Sequence, residues 1–419
     1  MDHIYKKYFK IYLVTILTFA IIWLYLKHSV GNDSTISEWI INYQGGFVRR
    51  GLPGEVAFHI AKFFDIKLRV VILLFQIIFY SLYLFLIYRF FKDIKFNTII
   101  IFTIFTPIFL LYHIAELEVL VRKEIFLFLG YLWFYNISNE NDDLKKSLLW
   151  ILFILPLVSI LYEPSIFYYS FFAAAIIIKM RYFSILKIFS ILLLIFIPSL
   201  IVSWMSASIL ITDEGFLLMK NSLMDNFGET CYRSCDVMNS MREPSVHLNQ
   251  TFHKLNEGEY TVYTYLFRYF MIMLVGFAPL FLMMKNTRLN FSIFNFKSFI
   301  LPFAIINLTV VVHWLMFIDW GRAVNIAYVS GILFYFHLYK NNLININFLN
   351  IEKKLDQIAY FFAKKAYFKT KKNFTVFFFI IYAFGWSPPT LLSADVNSFP
   401  GYRIPYKTIK FLYLSYQSP

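Results

Sequence analysis

Cysteine is nearly absent: the 419 residues hold two, Cys231 and Cys235. That excludes a disulfide-scaffold fold and a Cys-rich metal site. Charge is also scarce, at 15% of residues. There is no P-loop, no Gly-x-Ser-x-Gly nucleophile turn and no His-Glu-x-x-His zinc helix, which argues against an ATPase, a serine hydrolase and a zincin. An Asp-rich motif for divalent metals, a fixed-period repeat and a low-complexity linker are missing too.

What fills the chain is apolar: 59% hydrophobic and 21% aromatic, with 51 Phe. No soluble core of this size hides so much apolar surface, whereas a bilayer takes it. The length rule predicts an all-α polytopic membrane protein, one domain over 1–419. Its roughly eleven spans fall at 8–28, 70–91, 98–112, 124–138, 147–161, 165–180, 184–204, 262–285, 297–317, 322–340 and 374–392. Several are shorter than the ~20 residues of a perpendicular crossing, so two are expected to be re-entrant or half-length. The first follows Lys6, Lys7 and Lys10 and has no small-residue cleavage site after it, so it reads as a retained helix with the N-terminus in the cytoplasm.

The formal charge of +14 comes mostly from lysines beside apolar runs, the pattern of cytoplasmic loops and not of a nucleic-acid surface. On this layout 19 of 27 lysines fall inside. Nine of 12 arginines fall outside: Arg49, Arg50, Arg69, Arg122, Arg233, Arg242, Arg268, Arg322 and Arg403. Lysine suffices for the positive-inside effect, while bidentate recognition of phosphate or carboxylate needs arginine.

Two polar pieces flank the spans. Residues 205–260 form an extracytoplasmic cap, in which Cys231 and Cys235 are compatible with a local disulfide or two free thiols. His247 and His253 there lack the partners of a zinc site. Residues 341–373 read as a cytoplasmic amphipathic helix on the anionic inner leaflet, with Ile351, Leu355, Ile358 and Phe362 at helical spacing beside Lys353, Lys354, Lys364 and Lys365.

The chemistry concentrates in four outer turns. In Asn42–Glu55 (NYQGGFVRRGLPGE), four glycines and Pro53 stop any helix and let backbone amides approach a ligand, while Arg49 and Arg50 suit an anion such as phosphate. The others are His113–Glu124, Tyr162-Glu163-Pro164 and Asp319-Trp320-Gly321-Arg322. Within them Glu116 and Lys123 read as ordinary interfacial charges, and Trp320, like nearby Trp314, as a belt anchor. His313, just before the last turn, reads as a hydrogen-bonded helix residue. Glu163, Asp319 and Arg322 interrupt apolar segments with almost no loop around them, which marks them as functional. Arginines and carboxylates at the outer leaflet suit a lipid-linked diphosphate with its tail in the bilayer. Arg49, Arg50, Arg122 and Arg322, with Gly45 and Gly46, would hold it. A carboxylate from Glu163, Asp319 or Glu55 would take the proton of an attacking sugar hydroxyl, with no metal or cofactor expected.

Asn42–Glu55, Arg122-Lys123-Glu124, Tyr162-Glu163-Pro164 and Asp319-Trp320-Gly321-Arg322 resemble motifs of integral membrane proteins of bacterial surface-polysaccharide loci, and most of all O-antigen and capsule repeat-unit polymerases of the Wzy type. The resemblance implies a metal-independent glycosyltransferase-type polymerase at the outer face of the inner membrane. Its substrate would be an undecaprenyl-diphosphate-linked oligosaccharide, and a flippase and a chain-length regulator would be its companions. A second arginine-rich outer loop of some members has no clear counterpart here. Two rivals stand beside it: a glycosyltransferase using a polyprenyl-monophosphate sugar, with Glu38 or Glu55 as the first-loop acid, and a non-enzymatic flippase, which would carry cations in mid-span.

Overall fold

The apolar runs become helices because nothing in lipid can satisfy their backbone except the helix itself. A computed structural model describes residues 2–30, 34–138, 144–236, 238, 244–256, 262–289, 298–366, 368 and 370–392. The chain is all-α, apart from a short antiparallel ribbon that pairs β1 (Thr287–Leu289) with β2 (Ile344–Ile346). Among the described residues, five helices are long and apolar enough to cross a membrane: α1 (Asp2–Val30), α4 (Leu68–Phe91), α8 (Leu144–Leu161), α10 (Ile185–Ser208) and α13 (Val262–Lys285).

The segment between α1 and α4 folds as two short helices, α2 (Ser34–Trp39) and α3 (Leu52–Phe63). Several other expected spans are shorter than their apolar runs. The run 98–112 is helical only over α5 (Thr98–Ile104), because Thr106-Pro107 ends it. The chain then turns through α6 (Tyr112–Ala115) and re-enters helix at α7 (Ile125–Ile137). After α8, a 3₁₀ turn over Glu163–Tyr168 leads into α9 (Tyr169–Lys179). Between α10 and α13 lie α11 (Asp213–Phe227) and α12 (Pro244–Asn256), and Cys231 and Cys235 between those two helices form a disulfide. The run 297–317 breaks at Asn307 into α14 (Ile300–Ile306) and α15 (Leu308–Met316).

α16 (Trp320–Lys340) is the central post: it is buried on every face from Trp320 to Leu338, as a helix enclosed by its neighbours must be. Arg322 sits at its first turn and His337 at its last. α17 (Phe348–Lys365) follows, with Ile351 buried and Lys353, Lys354, Lys364, Lys365, Ile358 and Phe362 exposed. α18 (Lys371–Phe384) stops short of the expected 392. Residues 386–392 instead fold back against the start of α16, where Gly321 N donates to Thr390 O (3.2 Å) and Leu392 N to Ile318 O (2.7 Å). Gly321 permits this, since a Cβ there would lie 1.8 Å from Pro389 O.

Candidate functional site: an arginine–carboxylate cavity

A buried charge is tolerated when opposite charges and hydrogen bonds surround it. Glu38, at the end of α2, is fully buried and meets that condition three times over. Arg122 Nε donates to its Oε2 at 2.7 Å, Arg50 Nη1 to its Oε1 at 3.1 Å, and Arg322 Nη2 lies 3.7 Å from Oε1. Around this hub the remaining charges pair outward. Arg50 Nε reaches both oxygens of Glu163, at 2.9 and 2.7 Å. Arg322 grips Glu124 bidentately, at 2.9 and 2.5 Å. Asp319 lies 3.5 Å from Arg322 and 3.6 Å from Arg122. The Tyr162 ring stands between two guanidinium groups, its centroid 5.5 Å from Arg50 and 5.8 Å from Arg322.

The turns are held under strain to make this geometry. Arg50 and Val121 both adopt left-handed backbone (φ 62° and 50°), a conformation that costs non-glycine residues free energy. Arg50 is fixed there by its two carboxylates and by Lys123, whose Nζ donates to Arg50 O. The Val121 carbonyl accepts from Trp39 Nε1 at 2.9 Å, which sets the direction of Arg122.

Electrostatics follows from the packing. Burial alone would raise the Glu38 pKa, but Arg122, Arg322, Arg50 and Lys123 together hold it well below 4.5. Burial likewise pushes Glu163 up, and Arg50 and Arg49 pull it down further. Both carboxylates are therefore weak bases. Burial pushes the Lys123 ammonium down to about 7, with Glu38 opposing the shift and Arg50 adding to it.

These groups surround a cavity of about 480 Å³. Arg49, Arg50, Arg122, Arg233 and Arg322 line it, against Glu38, Glu118 and Asp319, an excess of two positive charges at the wall. Glu163 and Glu124, behind the wall, offset part of that excess. Asp319 is the most open carboxylate of the central network, with its side chain 23% exposed against 1% for Glu38, 3% for Glu124 and 9% for Glu163.

The cavity thus gathers Arg49, Arg50, Arg122, Arg322 and Asp319, with Glu163 directly behind Arg50. Other sequence expectations are corrected. Glu55 is not at the cavity wall; it staples the loop between α2 and α3 by accepting from Tyr43 N at 2.7 Å and Gln44 Nε2 at 2.8 Å, with His59 Nε2 at 2.8 Å. Gly45 and Gly46 do not line the cavity either: a Cβ on Gly45 would lie 1.7 Å from Gly215 O, so its small size serves contact with α11. Lys123 and Glu116 are buried and are not interfacial charges; Glu116 accepts from Thr390 at 3.1 Å. Trp320 is buried, and its Nε1 donates to Trp314 O at 2.8 Å. Of the other arginines expected on the outer side, Arg69 pairs with Glu229 at 2.6 Å and Arg268 lies buried against Tyr265 and Tyr269. Arg242 and Arg403 lie outside the described residues.

Sequence reasoning missed Thr390, Leu391, Phe317 and Gln250 at the cavity wall, and gave His247 no role beyond a rejected zinc site. Its Nε2 lies 3.2 Å from Arg49 Nη2. Among the described residues, no group of three His, Cys, Asp or Glu is placed to hold a metal ion. No protein-family model, curated protein or solved structure matches this chain. What the protein does has to be read from the cavity and its charges.

Proposed function

We propose that the protein is a membrane glycosyltransferase acting on a sugar carried by a polyprenyl phosphate. Its fullest form would be a polymerase of undecaprenyl-diphosphate-linked repeat units at the outer face of a bacterial inner membrane. The observation that carries this reading is the convergence of five arginines from separate segments on one cavity that also holds a partly open carboxylate, Asp319. Guanidinium groups hold a diphosphate and stabilise it as leaving group when the sugar C1–O bond breaks. Asp319 accepts the proton of the attacking hydroxyl as the new C1–O bond forms. Glu163 and Glu38 are nearly buried and held at 2.7 Å by arginines, against 3.5 Å for the more open Asp319, so they orient the cations and do not act as base.

A second reading, transfer from a polyprenyl-monophosphate sugar, is favoured by one feature: Glu38, an acid of the first outer loop, is the hub of the arginine network. A flippase fits less well, because the arginines gather at a single cavity.

Deleting the gene in its host and running the surface polysaccharide on a gel tests the choice. A polymerase predicts a ladder collapsed to core plus one repeat. Loss of all repeats points to the transferase or flippase, and an unchanged ladder refutes the proposal.

A further inference from the structure

His313 lines the same cavity from α15, and its imidazole is held on three sides. The Phe167 ring stacks on it at 5.4 Å with an interplanar angle of 11°, and Phe317 packs edge-on at 4.6 Å. Its Nδ1 lies 2.8 Å from the hydroxyl of Tyr168, a fully buried residue. No other hydrogen bond to that hydroxyl is present among the described residues. A buried phenol O–H left without an acceptor is costly, so Tyr168 donates and His313 Nδ1 accepts. The ring proton is then on Nε2.

Nε2 has no hydrogen-bond partner among the described residues, and it is not one of the sealed, unsatisfied atoms. It therefore opens toward the cavity as an N–H donor whose direction is fixed by Tyr168 and two phenylalanine rings. Arg50 and Arg322 line the cavity with it. A tautomer fixed by a second residue and aimed at a polar cavity is the arrangement by which histidine presents a single donor to a ligand.

We infer that His313 Nε2–H binds an oxygen of the polyprenyl phosphate group, with Tyr168 as the residue that sets its tautomer. The inference rests on the function proposed above and assigns one further contact in it. The donor is directional and uncharged, so it adds positional specificity where the arginines already supply charge.

The test uses the full chain in detergent and undecaprenyl phosphate as the probe, which has no sugar and so isolates the phosphate contact. His313→Ala is expected to weaken binding about tenfold or more, the scale of a hydrogen bond to a charged group. His313→Gln, whose side-chain amide can place a donor near the Nε2 position, is expected to retain binding within about threefold. Nitrogen-15 spectra of the histidine-labelled protein should show His313 protonated at Nε2, and Tyr168→Phe should remove that preference and weaken binding while leaving the fold intact. Wild-type binding with an unchanged His313→Ala affinity overturns the contact and leaves the proposed function standing. Absence of any binding by the wild type overturns both. A proton found on Nδ1 overturns the role given to Tyr168, and with it the donor.

Discussion

The two ends of the molecule use cations differently. At the cavity, Arg50, Arg122 and Arg322 are nearly buried and each lies within hydrogen-bonding distance of a carboxylate. On α17, Lys353, Lys354, Lys364 and Lys365 are exposed, beside apolar residues that are exposed too. A guanidinium offers a planar fork that can bind two partners at once, so it suits a fixed, dry network. An ammonium is a hydrated point charge on a flexible stem, which suits attraction to an anionic surface. The contrast explains why composition alone is a poor guide: basic residues are paired and nearly buried at the cavity, and exposed along α17.

The comparison breaks if the cavity charges are as replaceable as the lysines. The largest effect is expected at Asp319: Asp319→Asn should lower the transfer rate about 10²–10⁴-fold, the range for a lost general base, with protein level kept because the side chain is partly open. Purified protein assayed with its lipid-linked substrate measures this; a rate within twofold of wild type removes Asp319 as base.

Arg322→Lys should cost about 10²–10³-fold in the same assay, since a lysine cannot hold both oxygens of Glu124 and also reach Asp319. Normal polysaccharide ladders from this variant and from Arg50→Lys would remove the reason for singling out these arginines.

Glu38→Gln sharpens the contrast through stability. Leaving three arginines without their shared counter-charge should cost about 3–5 kcal/mol, read as a lower melting temperature in detergent. The pH dependence has a definite sign. Folding favours the ionised form of Glu38, whose contribution is complete above about pH 4.5 and is lost as the pH falls below it toward the depressed folded-state pKa. Wild type should therefore lose stability through that acid range more steeply than Glu38→Gln; parallel curves contradict the assignment.

The smallest effect is expected from replacing all four α17 lysines with serine. Transfer should stay within about twofold, while the affinity of the detergent-purified protein for anionic lipid should weaken by about 1 kcal/mol per lysine near the surface. A transfer defect as deep as that of Arg322→Lys would erase the distinction between the two ends.

Much of the cavity was legible in the sequence because ionisable residues that interrupt apolar runs are expensive unless used. Glu163, Asp319 and Arg322 stood out for that reason and Arg50 for its glycine-rich turn, and they converge. Glu38 stood out only as a first-loop acid of the rival transferase reading, because its role as hub depends on three distant arginines. Hydropathy read 98–112 and 374–392 as spans, since it weighs composition and not backbone direction. Thr106-Pro107 ended the first early, and in the second the last seven residues turned back onto α16. Gly45 misled by its type: glycine marks a close approach, and here the neighbour is the Gly215 carbonyl, not a ligand. The Tyr168–His313 pair is separated by 145 residues, and no local pattern announces it.

The most direct test is a structure of the full chain with undecaprenyl diphosphate bound in a lipid nanodisc. The expected result is headgroup density inside the cavity, within hydrogen-bonding distance of Arg50, Arg122 and Arg322 and facing Asp319. Headgroup density bound elsewhere on the protein, with this cavity holding only water, would contradict the central claim.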